Sequence, residues 1–163
     1  VNRIAIKPHH LIDIFKLYGA GREVLYPDPA YEHDFYRVGN IILNHPDTIV
    51  RLYLGSDDIC RPCRYNLAGQ CIDKLKTPIG EFTKRELWNR HLDAQLLTIL
   101  GLTENTELTA REFCAIALSA LSTENIATIW AGLSSLSIKM RVEYTLRGLQ
   151  RYQTRWAADP DFT

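Results

Sequence analysis

Asn2-Arg-Ile-Ala-Ile-Lys-Pro-His-His-Leu-Ile-Asp-Ile-Phe-Lys-Leu-Tyr-Gly19 changes its hydrophobic period at one residue, Pro8. Before it, Arg3, Ile4, Ala5 and Ile6 alternate as a short strand does. Proline suits the first turn of a helix, and Leu11, Ile14, Phe15 and Tyr18 then recur at helical spacing until Gly19 and Gly21. On a helical wheel Ile12, Leu17 and His10 flank that stripe, while His9, Asp13 and Lys16 share the narrow polar sector that remains. A helix apolar on nearly every side is a buried one. Its polar sector therefore either lines an internal site or forms a solvated strip.

Further along, Tyr31, Phe35, Val38 and Ile42 predict a helix over 31–44, and the β-branched run 49–54 predicts a strand able to pair with the first. Trp88, Leu92, Leu96 and Ile99 mark a helix over 82–100, closed by Gly101. Thr109-Ala-Arg-Glu112 is a capping box opening a helix to about Leu121. Ser122 or Thr123 caps another through Trp130, and 137–156 carries a last stripe ending in Tyr152 and Trp156. The expected fold class is mainly α (α+β): a single helical domain over 1–163 with two short strands in its N-terminal half. A cysteine-rich metal loop over 55–80 and a helical C-terminal part over 81–156 complete it.

Gly55-Ser-Asp-Asp-Ile-Cys-Arg-Pro-Cys-Arg-Tyr-Asn-Leu-Ala-Gly-Gln-Cys71 gathers Cys60, Cys63 and Cys71 in one polar stretch. A chain of 163 residues buries enough surface to need no covalent staples, so the thiols are not there to hold up a mini-protein. Thiolates held close together need a cation, which points to a metal or an iron–sulfur centre. Pro62 pre-shapes the C-x-x-C turn, whose amides are expected to face the sulfurs, and Gly69 lets the chain fold back to present Cys71. Three thiolates are one short of the usual four. The nearest candidates for the fourth ligand are His9, His10 and Asp13. A plain reduced dithiol and a thioredoxin-like couple are the competing readings, the latter without its expected βαβ setting.

Cys114 lies in an apolar helical run and reads as core. Asp57 and Asp58 read as turn formers accepting backbone amides, with either an acid–base candidate, Asp58 first, if the site is open to solvent. His91 and Asp93 are expected at the surface or flank of their helix, and Trp88, Trp130 and Trp156 in the core or an interface. Lys and Arg (19) balance Asp and Glu (19), which gives no electrostatic case for nucleic acid or an anionic membrane surface. No apolar run reaches membrane-span length and no leader-like stretch opens the sequence, so a reducing cytoplasmic setting is expected.

Lys-Pro-His-His-Leu over 7–11, Asp-Asp-Ile-Cys-x-Pro-Cys…Gly-x-Cys over 57–71, Ile99-Leu-Gly-Leu102 and Leu108-Thr109…Glu112 together resemble a bacterial and archaeal family. That family is domain of unknown function twelve eighty-four, suspected of binding iron and sulfur. The resemblance spans about residues 6–120 and implies that the His-His helix and the cysteine loop belong together. It has two departures. Asp13 stands where members commonly carry cysteine, and Ile129–Ile138 lacks their further cysteines. Either a second centre is lost, or one centre is built from Cys60, Cys63, Cys71 and a non-thiolate.

The expected function is a small iron–sulfur protein, with a [4Fe–4S]-type cluster on Cys60, Cys63 and Cys71. Its fourth iron is bound by Asp13 or a histidine, or left open for redox or Lewis-acid chemistry. His9 or His10 then serves as a proton donor or ligand, Asp13 as a ligand or base, and the partner is a small molecule or redox protein. The alternative is a structural zinc site of three Cys and one His in a helical interaction module. Tyr144, Tyr152 and Trp156 suit a homodimer face and core packing equally well.

Overall fold

A computed structural model describes residues 1–157. β1 (Arg3–Ile6) runs directly into α1 (Pro8–Gly19), with Pro8 in the first turn as the sequence requires. After α2 (Phe35–Asn44) comes β2 (Ile49–Leu52), which pairs parallel to β1. Two small hairpins follow: β3 (Asn66–Leu67) with β4 (Gln70–Cys71), and β5 (Lys74–Ile79) with β6 (Phe82–Lys84). α3 (Arg85–Leu100) leads to β7 (Glu107–Thr109), which lies antiparallel on β2 and completes a three-stranded sheet in the order β1-β2-β7. α4 (Ala110–Ala120), α5 (Thr123–Ile129) and α6 (Ser135–Ala157) complete the described residues.

The α+β expectation holds at this level, with helices dominant. Both predicted N-caps form capping boxes, Thr109 with Glu112 and Ser122 with Asn125. Seven strands form among the described residues instead of the expected two, and several boundaries differ. The second helix starts at Phe35 instead of residue 31, because Glu32 turns through a positive φ of 58°. Phe82–Lys84 is a strand, not the first turn of α3, because β5 supplies it with a partner. The stretch 55–80 is not loop throughout but carries β3, β4 and β5.

The core lies between the sheet and the helices, with α1 at its centre. Leu11, Ile12, Ile14 and Phe15 are all fully buried. α6 crosses α1 at backbone distance: a Cβ on Gly148 would collide with the Phe15 carbonyl, and one on Gly19 with the Tyr144 carbonyl. Phe15 meets the Tyr152 ring edge-on at 5.0 Å, and the Tyr152 hydroxyl donates to the Ile42 carbonyl at 2.8 Å. Of the aromatic residues that suit either a dimer face or the core, Tyr152 is core and Trp156 packs partly buried against it. No helix of the described residues is long and apolar enough to cross a membrane.

Candidate metal centre

The N-terminus of α1 is the anchor of the site. Lys7, its N-cap, offers no capping side chain, so the first amides must find acceptors elsewhere. Two buried carboxylates supply them. Asp57 Oδ2 accepts from Lys7 N at 2.7 Å, and Asp93 Oδ1 accepts from His9 N at 2.8 Å, each adding negative charge where the helix dipole favours it.

The same two carboxylates fix the two imidazoles. His9 Nδ1 lies 2.9 Å from Asp93 Oδ1, and His10 Nδ1 lies 2.8 Å from Asp57 Oδ2. In both pairs Nε2 is left without a protein partner among the described residues, and both rings line one cavity of about 820 Å³. A histidine whose Nδ1 is held by a carboxylate and whose Nε2 is free is the usual arrangement of a metal-binding imidazole.

The thiols reach this cavity through the segment after β2. Tyr53 N and Asp58 N donate to the Ile6 and Ala5 carbonyls, both at 3.0 Å, and Asp58 Oδ2 accepts from Ala5 N at 2.8 Å. The segment is thereby stitched to β1 immediately before Lys7, and Cys60 N adds a 2.9 Å bond to Asp57 Oδ1. Cys60, Cys63 and Cys71 line the large cavity and also a second of about 20 Å³, which Lys7 shares. Lys7 is 4% exposed, and its Nζ donates to Cys60 Sγ at 3.5 Å. A buried ammonium beside a sulfur is costly unless negative charge resides there.

The charges follow from burial and neighbours. Burial opposes ionisation of Asp57, but the His10 ring and the Lys7 amide and ammonium outweigh it and hold the carboxyl well below its usual range. Burial, then Asp57, pushes the Cys60 thiol up to about 12, against the pull of Lys7. Burial disfavours a charged His9, yet Asp93 prevails and raises its pKa. Burial prevails at His10 and lowers it. The adjacent imidazoles are driven apart, His9 towards imidazolium and His10 towards the neutral ring.

His9, Asp13 and Lys16 of the polar sector of α1 all line the large cavity, His9 buried and the other two partly exposed. The Asp13 carboxylate is engaged by Arg141 of α6 at 2.7 Å, and the guanidinium stacks 4.3 Å from the Trp130 ring. Burial would raise the Asp13 pKa, but Arg141, Lys16 and His9 lower it. Asp58 stays partly exposed, pairs with Arg61 at 3.0 Å and accepts the remote Ala5 amide, so it ties the segment to β1 instead of forming a turn; Asp57 accepts one turn amide, Cys60 N, besides the remote Lys7 amide. Cys114 is core, its Sγ 3.3 Å from the Leu149 carbonyl.

Two expectations need correction. Asp93 is not at the surface: it is 2% exposed and carries His9. The C-x-x-C turn amides bond to oxygen and not to sulfur, Arg61 N to the Asp57 carbonyl and Cys63 N to the Cys60 carbonyl. Lys7, Asp93 and Arg141 are the site residues that sequence reasoning missed. Asp93 stands three, four and seven residues before the buried Leu96, Leu97 and Leu100, a carboxylate on an apolar stripe. Arg141 shares the buried stripe of Thr145, Gly148 and Tyr152.

Among the described residues, His10, Asp57 and Cys60 form a set whose ligand atoms lie within 4.8 Å of one another, and the three cysteines do not. The donor set fits a sulfur-ligated centre in its chemistry: soft sulfurs, oriented imidazoles and a buried counter-charge around a common space. No family model, curated protein or solved structure matches this chain.

Proposed function

We propose that this chain holds an iron–sulfur centre of the [4Fe–4S] type on Cys60, Cys63 and Cys71, with His10 as the non-thiolate partner, beside a cavity that receives a small molecule. One observation carries the reading. The three thiols and the two carboxylate-fixed imidazoles line a common cavity, with the buried Lys7 ammonium against Cys60 Sγ. The resemblance to domain of unknown function twelve eighty-four points the same way, resting on the same histidines and cysteines. A reducing compartment such as the cytoplasm suits free thiols of this kind.

A single tetrahedral zinc with bonds of about 2.3 Å needs sulfurs roughly 3.8 Å apart. The three sulfurs do not all lie within 4.8 Å of one another, so as they stand they do not meet that single-ion geometry. Such a centre supplies electron transfer or, at an iron lacking a fourth thiolate, a Lewis acid. Around it the chain has separate tasks. Lys7 offsets thiolate charge. Asp57 turns His10 so that Nε2 faces the cavity. Asp93 holds His9 in the form that donates a proton.

Zinc is the second reading, favoured by the compact His10–Asp57–Cys60 set. Both Asp57 oxygens already accept hydrogen bonds, so in that reading too it orients the ligands instead of joining them. Anaerobic purification tests the choice. Matching iron and sulfide with broad absorbance at roughly 400 nm is expected. Cys60→Ala and Cys71→Ala abolish both, and Cys114→Ala retains them. Stoichiometric zinc in a colourless protein that unfolds on chelation selects the second reading, and a metal-free protein from iron- and zinc-replete cells contradicts both.

A further inference from the structure

The end of the large cavity away from the thiols is built differently. Lys16, two turns along α1 from His9, is half-buried there, and no carboxylate lies within ion-pairing distance of its ammonium among the described residues. Beside it Arg141, its side chain 14% exposed, is clamped between the Asp13 carboxylate and the Trp130 ring. Two cations thus face one carboxylate, which leaves one positive charge uncompensated in a partly desolvated place. That is costly in an isolated chain and favourable once an anion arrives.

The lining is partly aromatic: Trp130 lies beside Arg141, Phe35 meets His10 edge-on at 6.3 Å, Tyr31 packs near the thiol segment against Tyr65, and Trp88 lines the same space. His10 and Lys16 are six residues apart on α1, about 9 Å along the helix. The cavity, at about 820 Å³, lies within the range that holds small organic ligands.

We propose that the cavity binds a planar organic monocarboxylate. Its acid group lies between Lys16 and Arg141, and its apolar body runs along the aromatic walls towards His10 and Cys60. Arg22 and Asp28 of the same lining offset each other in sign, so a single surplus charge remains, which matches a carboxylate better than a phosphate dianion. The Lys16 ammonium is disfavoured first by its burial and then by Arg141, with Asp13 opposing, which fits a cation that awaits a partner. Carboxylate binding rests on the geometry of this end alone. That the bound acid is the substrate rests on the metal-centre reading above.

Three probes with one aromatic body test it: 2-naphthoate, its uncharged amide 2-naphthamide, and 2-naphthyl phosphate. They are titrated calorimetrically into the protein as isolated anaerobically, with metal and sulfide measured on the same sample. The expected result is naphthoate binding tighter than the amide and the phosphate by about tenfold or more. Lys16→Met should remove that preference while thermal stability holds or rises, since Lys16 makes no hydrogen bond or ion pair that the fold needs and its charge is uncompensated. Naphthoate and naphthamide binding alike, no binding of naphthoate at millimolar concentration, a tighter phosphate, or a preference that survives Lys16→Met each overturn the proposal. Naphthoate selectivity in a sample without iron or zinc would sink the metal centre and leave this site standing. A loaded sample without selectivity would do the reverse.

Discussion

Asp57→Asn tests the joint on which the site depends. The carboxylate is fully buried and accepts three hydrogen bonds, from Lys7 N at 2.7 Å, His10 Nδ1 at 2.8 Å and Cys60 N at 2.9 Å. Asparagine keeps the shape but only one acceptor oxygen. With that oxygen turned to Lys7 and His10, its amide group opposes the Cys60 N–H donor to donor. One charge-assisted bond is lost and two fall to neutral strength. At about 2 kcal/mol for each charged bond and about 1 for each neutral one, with allowance for bonds sharing an acceptor, the cost is about 3 kcal/mol. For a chain of this size that lowers Tm by roughly 10 °C. Urea unfolding followed by circular dichroism, with the slope checked for constancy, measures it. The acid limb supplies a second readout. The folded Asp57 carboxyl titrates below its unfolded value, so its stabilisation is present above about pH 4 and is lost as pH falls further, and the variant should lack that slope. Asp58→Asn is the control, since Asp58 is partly exposed and its side chain accepts from one backbone amide. A loss below about 1 kcal/mol for Asp57→Asn, or one equal to the control's, would refute the claim that this carboxylate ties the thiol segment to α1.

Three further perturbations probe other parts of the structure. Asp93→Asn should cost about 2 kcal/mol and change the pH profile. Asp93 raises the His9 pKa, so the pair's contribution is whole below about pH 6.5 and fades as pH rises through the higher folded value, a decline that Tm measured from pH 6 to 9 should lose in the variant. Gly148→Ala drives a methyl into the Phe15 carbonyl and should destabilise by about 3 kcal/mol, read from urea midpoints; a neutral outcome would mean α1 and α6 are not in backbone contact. Lys7→Met removes the ammonium beside Cys60, so the loaded centre should shift to a more negative midpoint potential, and the metal-free protein should alkylate more slowly at Cys60 with Cys63 unaffected.

Much of the architecture is carried by local signals. The change of period at Pro8 marks the β1–α1 junction, the two capping boxes mark α4 and α5, and the His9–Asp13–Lys16 sector identifies the face of α1 that lines the cavity. What escaped is non-local. β7 is three residues long and is a strand only because β2 lies beside it. The β3–β4 turn uses Ala68 at φ 50° and Gly69 at φ 82°, and alanine gives little warning of a left-handed turn. Asp93 and Arg141 sit on apolar stripes, where a charged residue signals a buried partner without naming it. The partners, His9 and Asp13, lie 84 and 128 residues away in the sequence.

Metal-edge X-ray absorption on anaerobically prepared protein tests most directly whether the α1 histidine and the thiols serve one centre. The account predicts a sulfur shell with one lighter nitrogen scatterer, and loss of that scatterer in His10→Gln with the sulfur shell intact. A shell of sulfur alone, or one left unchanged by His10→Gln, would contradict it.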